Sequence, residues 1–167
     1  TLEVSEFVNA DAIAAGLSAF LPESVAVAAG RIMLRRVRQL AAERADFAFE
    51  TTLATRSYAP WLAGLRQQGY DVHLLFLWLD SADLAVSRVA ERVRLGGHDV
   101  PAEVVRRRYE KGLRNLFRLY LPLANSWRLF DNSHAGGPRL IATGEGSAAR
   151  TSEDAAVWNM LKGTYDD

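Results

Sequence analysis

Apolar residues recur along this chain in two forms, short uninterrupted runs and longer stretches with helical spacing, and the two forms alternate. The runs are Phe7-Val8, Phe47-Ala48-Phe49, Val72 through Leu79, Trp127 through Phe130, and Leu140-Ile141. The third is continuous, the pattern of a strand covered on both faces. Helix candidates lie between them. Residues 23–44 follow Pro22, residues 57–68 close at Gly69, residues 82–95 run from a Ser81 cap to Gly96-Gly97, and residues 101–121 start at Pro101. Strand and helix in alternation predict an α/β domain with a mainly parallel sheet. The reading divides the chain into a core over residues 1–143 and a C-terminal connection with a short helix, capped by Ser152, over 144–167.

Composition narrows the class. The chain has 167 residues, 49% of them hydrophobic, which is enough for one domain with a real core. It has no cysteine, which excludes thiolate metal sites and cysteine nucleophiles. No apolar run reaches the roughly 20 residues a membrane span needs. The first residues show no basic region followed by an apolar stretch, so a cytoplasmic protein is expected.

Twenty basic side chains balance twenty acidic ones, but unevenly. Residues 88–118 hold 9 basic against 4 acidic, whereas residues 1–87 hold 7 against 10. A compact cationic segment in an acidic chain suits an anionic ligand met at one place. It argues against a surface built for nucleic acid.

Ligands of open parallel sheets bind beyond the carboxyl ends of the strands. Phe7-Val8 runs into Asn9-Ala10-Asp11, and Phe47-Ala48-Phe49 runs into Glu50-Thr51-Thr52. Asp11 and Glu50 read as functional, since a carboxylate with two threonines straight after a buried strand is costly without a ligand or metal to satisfy it. Asp80-Ser81 and Asp131-Asn132-Ser133 end two other runs and read as caps and turns. On the 101–121 helix, Val105, Tyr109, Leu113, Leu116 and Tyr120 form one stripe, with Arg107, Lys111, Arg114 and Arg118 almost opposite. Arg88 and Arg92 lie one turn apart on the preceding helix, and Gly96-Gly97-His98 makes a flexible corner with His98 as a lid candidate. Two arginine-bearing helices joined by a Gly-rich turn, within residues 82–121, would close over phosphates. Carboxylates facing an arginine lid suit phosphoryl transfer. None of the twelve glycines opens a G-x-x-x-x-G-K-[ST] loop.

Several segments in order resemble the zeta toxin-like P-loop kinases, in their stand-alone bacterial branch. They are Phe7-Val8-Asn9-Ala10-Asp11, Phe47 through Leu53, Arg92 through Pro101, Arg107-Arg108-Tyr109 and Asp131-Asn132-Ser133. The resemblance implies a three-layer P-loop NTPase fold using ATP and Mg2+, and phosphorylation of a sugar hydroxyl on UDP-N-acetylglucosamine. By similarity Asp11 would orient and deprotonate the acceptor hydroxyl. Asn9, Glu50, Thr51, Thr52 and His98 would belong to the acceptor side, and Glu50 could also join a magnesium shell. Arg92 and one or both of Arg107 and Arg108 would reach the transferred phosphoryl group.

Family members start with a strand and the P-loop, and both are missing from this sequence, so an N-terminal truncation and weak or absent transfer are expected. Unpaired sheet edges would then favour a destabilised monomer, a rearranged sheet or a strand-exchanged oligomer. The expected partners are a small-molecule acceptor and an antitoxin protein, without nucleic acid or membrane. The competing reading is a non-catalytic module that holds a nucleotide sugar or a protein.

Overall fold

The computed structural model describes residues 4–18, 21–95, 97 and 99–166. It is a mixed α/β protein whose chain falls into two compact units, Thr1–Thr51 with Ala90–Asp99, and Thr52–Val89 with Val100–Asp167. The described strands form two sheets: a parallel pair, and a four-stranded sheet with one parallel and two antiparallel pairings. Among the described strands the pairings are half parallel and half antiparallel, rather than mainly parallel.

The first unit holds β1 (Glu6–Val8), α1 (Ala10–Leu17), a 3-10 turn (Pro22–Val25), α2 (Ala26–Ala42) and β2 (Phe47–Phe49). Helix α2 buries Ala29, Met33, Val37, Leu40 and Ala41, a single stripe at the 3.6-residue period. Each large side chain fully buried there contributes about 1.5–3 kcal/mol. Arg44 ends the helix at φ 59°, in the left-handed region where glycine is usual, while Ala45 N–H donates to Leu40 O at 3.0 Å and Arg44 N–H to Ala41 O at 3.3 Å. That closure turns the chain into β2.

In the second unit come α3 (Tyr58–Gln67), β3 (His73–Trp78), α4 (Ala82–Arg94), whose last turns belong to the first unit, and α5 (Ala102–Asn115). A π-helical turn (Leu116–Tyr120), β4 (Ser126–Asp131), β5 (Arg139–Glu145), β6 (Ala148–Ser152) and α6 (Ala155–Tyr165) complete it. Gly69 stops α3 at φ 92°, as its sequence position predicts. The core gathers Leu113, Leu116, Trp127, Leu129, Ile141 and Leu161. The Trp158 ring lies 5.2 Å from that of Trp127 and 5.6 Å from that of Phe117.

Three expectations need correcting. Strand β3 is covered on one face only: Leu74, Phe76 and Trp78 turn inward, while His73, Leu75 and Leu77 are exposed. Its continuous apolar run does not reflect two-sided burial. Residues 148–152 form a strand paired with β5 rather than a connection, because β5 continues through Glu145 and folds back at Gly146, φ 52°. The final helix is capped by Asp154, whose side chain accepts from Val157 N–H, and not by Ser152. No helix among the described residues is long and apolar enough to cross a membrane.

Candidate functional site

The parallel register of the first unit builds the site. Val8 stands opposite Phe49, so the next residues, Asn9 and Glu50, emerge side by side past the carboxyl ends of β1 and β2. Glu50 N–H continues the ladder by donating to Val8 O at 3.3 Å. The side chains then meet: Asn9 Nδ2 donates to Glu50 Oε2 at 2.6 Å.

Asn9 is also the N-cap of α1. Its backbone is extended, and its Oδ1 accepts from Asp11 N–H at 2.7 Å and Ala12 N–H at 3.0 Å. Asp11 thereby sits in the first turn, where the helix dipole favours a carboxylate. Arg92, in the last turn of α4, brings Nη1 to 3.6 Å from Asp11 Oδ2. Both side chains are about half exposed, at 46% and 59%, so the pair is a solvent-screened surface contact. Gly97 closes behind Arg92: its N–H donates to Arg92 O at 2.9 Å, and a Cβ there would lie 2.6 Å from Arg92 Cγ.

Asn9, Asp11, Glu50 and Arg92 are therefore brought together, and half-buried Thr51 follows Glu50 in the same unit. Thr52, Arg107 and Arg108 belong to the second unit, and His98 lies outside the described residues. Arg107 and Arg108 are exposed on α5. Arg108 lines a cavity of about 80 Å³ with Thr52, Trp78, Tyr109 and Gly112. The Tyr109 hydroxyl donates to Leu79 O at 2.7 Å. Burial pushes that phenol up to about 12, partly offset by the Trp78 indole N–H, which lies by it without a hydrogen bond of ordinary geometry.

Two arginines of the predicted lid have structural partners instead. Arg88 donates to Asn132 O at 2.6 Å, and Arg106 is paired with Asp83. Asp131 is structural, as its turn position suggests. It is buried and accepts from Ser133 N–H at 2.8 Å and Arg139 Nη2 at 2.9 Å.

The described residues contain no group of three or more histidine or acidic side chains able to hold a metal. Glu50 Oε2 already faces an amide donor, and Asp11 faces a guanidinium. These residues therefore do not form an all-protein magnesium cage.

Sequence reading missed α1 and the cap that starts it, although Asn9 followed by Asp11, Ile13 and Leu17 is a legible N-terminal signature. It also missed Asn115, whose buried Nδ2 donates to Leu53 O at 2.8 Å. Nothing in the local pattern marks that residue.

These carboxylates and the arginine stand past the carboxyl ends of two parallel strands, where ligands of open α/β sheets bind. Residues 14–125 match the family model described as Zeta toxin, and the chain belongs to that family. Membership carries a kinase-like P-loop fold and the expectation of nucleotide (ATP) binding. The matched residues include Glu50, Thr51, Thr52, Arg92, His98, Arg107 and Arg108, while Asn9 and Asp11 precede them. A protein of Haemophilus influenzae (strain Rd), described only as uncharacterized, is 24% identical over 102 residues, covering 61% of this chain and 73% of its own length. No solved structure matches the chain.

Proposed function

We propose that this protein carries the acceptor side of an ATP-dependent phosphotransferase acting on a hydroxyl of a small molecule, with a nucleotide sugar such as UDP-N-acetylglucosamine as the substrate class. The observation that carries the reading is the joining of Asn9, Asp11, Glu50 and Arg92 past the ends of β1 and β2.

The chemistry follows from the groups. The acceptor hydroxyl binds between Asp11 and Glu50, and Asp11 accepts its proton as the oxygen attacks phosphorus. An O–P bond to the acceptor forms, and the bond from the γ-phosphorus to the bridging oxygen of the donor breaks, leaving ADP. The proton passes from Asp11 to water. Arg92 exchanges its surface contact with Asp11 for the phosphoryl oxygens, where its planar donors are strongest. Arg107 and Arg108 remain candidates for the same charge, and an antitoxin remains a candidate partner.

The residues present contain no G-x-x-x-x-G-K-[ST] loop, so this stretch by itself supplies no such cradle for the donor phosphates. The chain alone is accordingly proposed to bind the acceptor and to transfer poorly. Parallel calorimetric titrations with Mg-ATP and with UDP-N-acetylglucosamine test this. Nucleotide-sugar binding that weakens in Asp11→Ala and Arg92→Ala supports the reading. Tight Mg-ATP binding with no nucleotide-sugar binding overturns the acceptor-side assignment. Sugar-nucleotide binding with no transfer, even when the chain is supplied in a longer form bearing a P-loop, favours the non-catalytic module.

A further inference from the structure

We infer that Asn9 is a positioning residue that ties the two carboxylates, Asp11 and Glu50, into one unit; the functional part of this inference rests on the acceptor-side reading above. Its carboxamide is used at both ends. Oδ1 accepts from two free N–H groups in the first turn of α1, those of Asp11 and Ala12, and Nδ2 reaches Glu50 Oε2.

The side-chain inventory shows why asparagine stands here. Helix N-caps are drawn from Ser, Thr, Asp, Asn and Gly. Serine and threonine caps accept through a single short hydroxyl. Aspartate accepts but has no proton to give, and glycine has no side chain. Asparagine alone among them combines an acceptor for the helix end with an amide donor on the opposite edge. The capping bonds also fix the orientation of the amide: with Oδ1 turned to the helix, Nδ2 must face Glu50.

The register of the strands makes this coupling possible. Val8 opposite Phe49 puts Asn9 and Glu50 at the same level, one residue past each strand. The start of α1 and the end of β2 are then joined through one side chain, forty-one positions apart in sequence. Movement of Glu50 is resisted by the cap, and movement of Asp11 by Glu50. Asn9 thus acts on the acceptor through Glu50 and Asp11, and is not itself required to touch it.

Two measurements on the full chain test this. The first needs no ligand. In 1H–15N NMR spectra the Asn9 side-chain amide resonances are expected to shift on Glu50→Gln, while Ala12 N–H keeps its capped position. Asn9 amide resonances unmoved by Glu50→Gln overturn the inference.

The second is a double-mutant cycle read by UDP-N-acetylglucosamine titration. Asn9→Ser and Asn9→Thr both retain a capping hydroxyl and lose the amide donor that reaches Glu50, so thermal unfolding is expected to change little. Each is expected to weaken binding about tenfold in the wild-type background and less than about twofold in the Glu50→Gln background. Equal losses in both backgrounds, or wild-type affinity in Asn9→Ser, overturn the positioning role. If the unmodified chain does not bind the nucleotide sugar, the substrate reading fails, and the NMR result still decides the role of Asn9.

Discussion

Asn115 reaches from the end of α5 to the backbone of Leu53, with Nδ2 2.8 Å from the carbonyl oxygen. Leu53 is buried and has φ 56°, a left-handed conformation that a branched side chain rarely adopts. On the same helix Gly112 lies so close to Thr52 that a Cβ would be 2.5 Å from its carbonyl oxygen. In the π-helical turn that follows, the Tyr120 hydroxyl donates to Thr55 O. Three side-chain positions thus clamp residues 52–55, the segment that follows Glu50 and Thr51 in the chain.

Asn115→Ala removes the amide donor to the Leu53 carbonyl from a buried position and is expected to destabilise the protein by about 1–3 kcal/mol. Gly112→Ala is expected to cost about as much, because backbone must move to admit the methyl group. Because both act on one segment, their effects should not add. Urea unfolding of the two single variants and the double variant checks this.

The Asp131 carboxylate sets an acid limit on stability. Burial by itself would raise it, but hydrogen bonds from Ser133 and Arg139 outweigh burial and hold it at about 2, below its ordinary 3.8. A depressed carboxylate stabilises the fold fully above the unfolded value and loses that contribution as pH falls through the folded one. The contribution is about 2 kcal/mol, lost between about pH 4 and pH 2. Asp131→Asn is expected to flatten that part of a stability-versus-pH curve measured by chemical denaturation.

Tyr109 behaves in the opposite sense at the alkaline end. Its phenol is raised from 10.0 to about 12, so the folded state keeps a proton that the unfolded chain releases. The resulting stability is complete below about pH 10 and is lost as pH rises through about 12. Ultraviolet difference titration should show this phenol ionising late. Tyr109→Phe removes the bond to Leu79 O and is expected to cost about 1 kcal/mol.

Gly97→Ala tests the seat of Arg92. The added Cβ would meet Arg92 Cγ at 2.6 Å and the Arg92 carbonyl at 3.0 Å, so the arginine stem must shift away from its present path. Nucleotide-sugar affinity is expected to fall by a factor similar to that of Arg92→Ala, with thermal unfolding changed far less. A variant that binds as the unmodified chain does would show that Arg92 tolerates the displacement.

The parts of the fold that depend on local periodicity were legible. The α2 stripe of Ala29, Met33, Val37 and Leu40 and the Gly69 stop follow from spacing and backbone preference alone. So does the buried row of Leu113, Leu116 and Tyr120 on and beyond α5. The β3 run misled because consecutive apolar residues do not report which face has a neighbour. Residues 148–152 were hidden because Ala148, Ala149, Arg150 and Ser152 carry little strand signal around the single Thr151, and pairing with β5 supplies what propensity lacks. Arg88 and Arg106 looked like lid residues because sequence shows a guanidinium without its acceptor, and those acceptors are Asn132 O and the Asp83 carboxylate.

By itself the sequence determined the α/β class and the positions of most helices and strands, and it singled out Asn9, Asp11, Glu50, Thr51, Thr52, Arg92, His98, Arg107 and Arg108 as the residues to watch. Those are properties of short segments, set by side-chain spacing and by what ends a strand. Only the tertiary structure decided that Val8 pairs with Phe49, that Asn9 therefore meets Glu50, and that Arg92 turns toward Asp11. Such relations join residues forty or more positions apart, and no local pattern encodes them, because register and packing are settled only when the whole set of apolar faces is buried together.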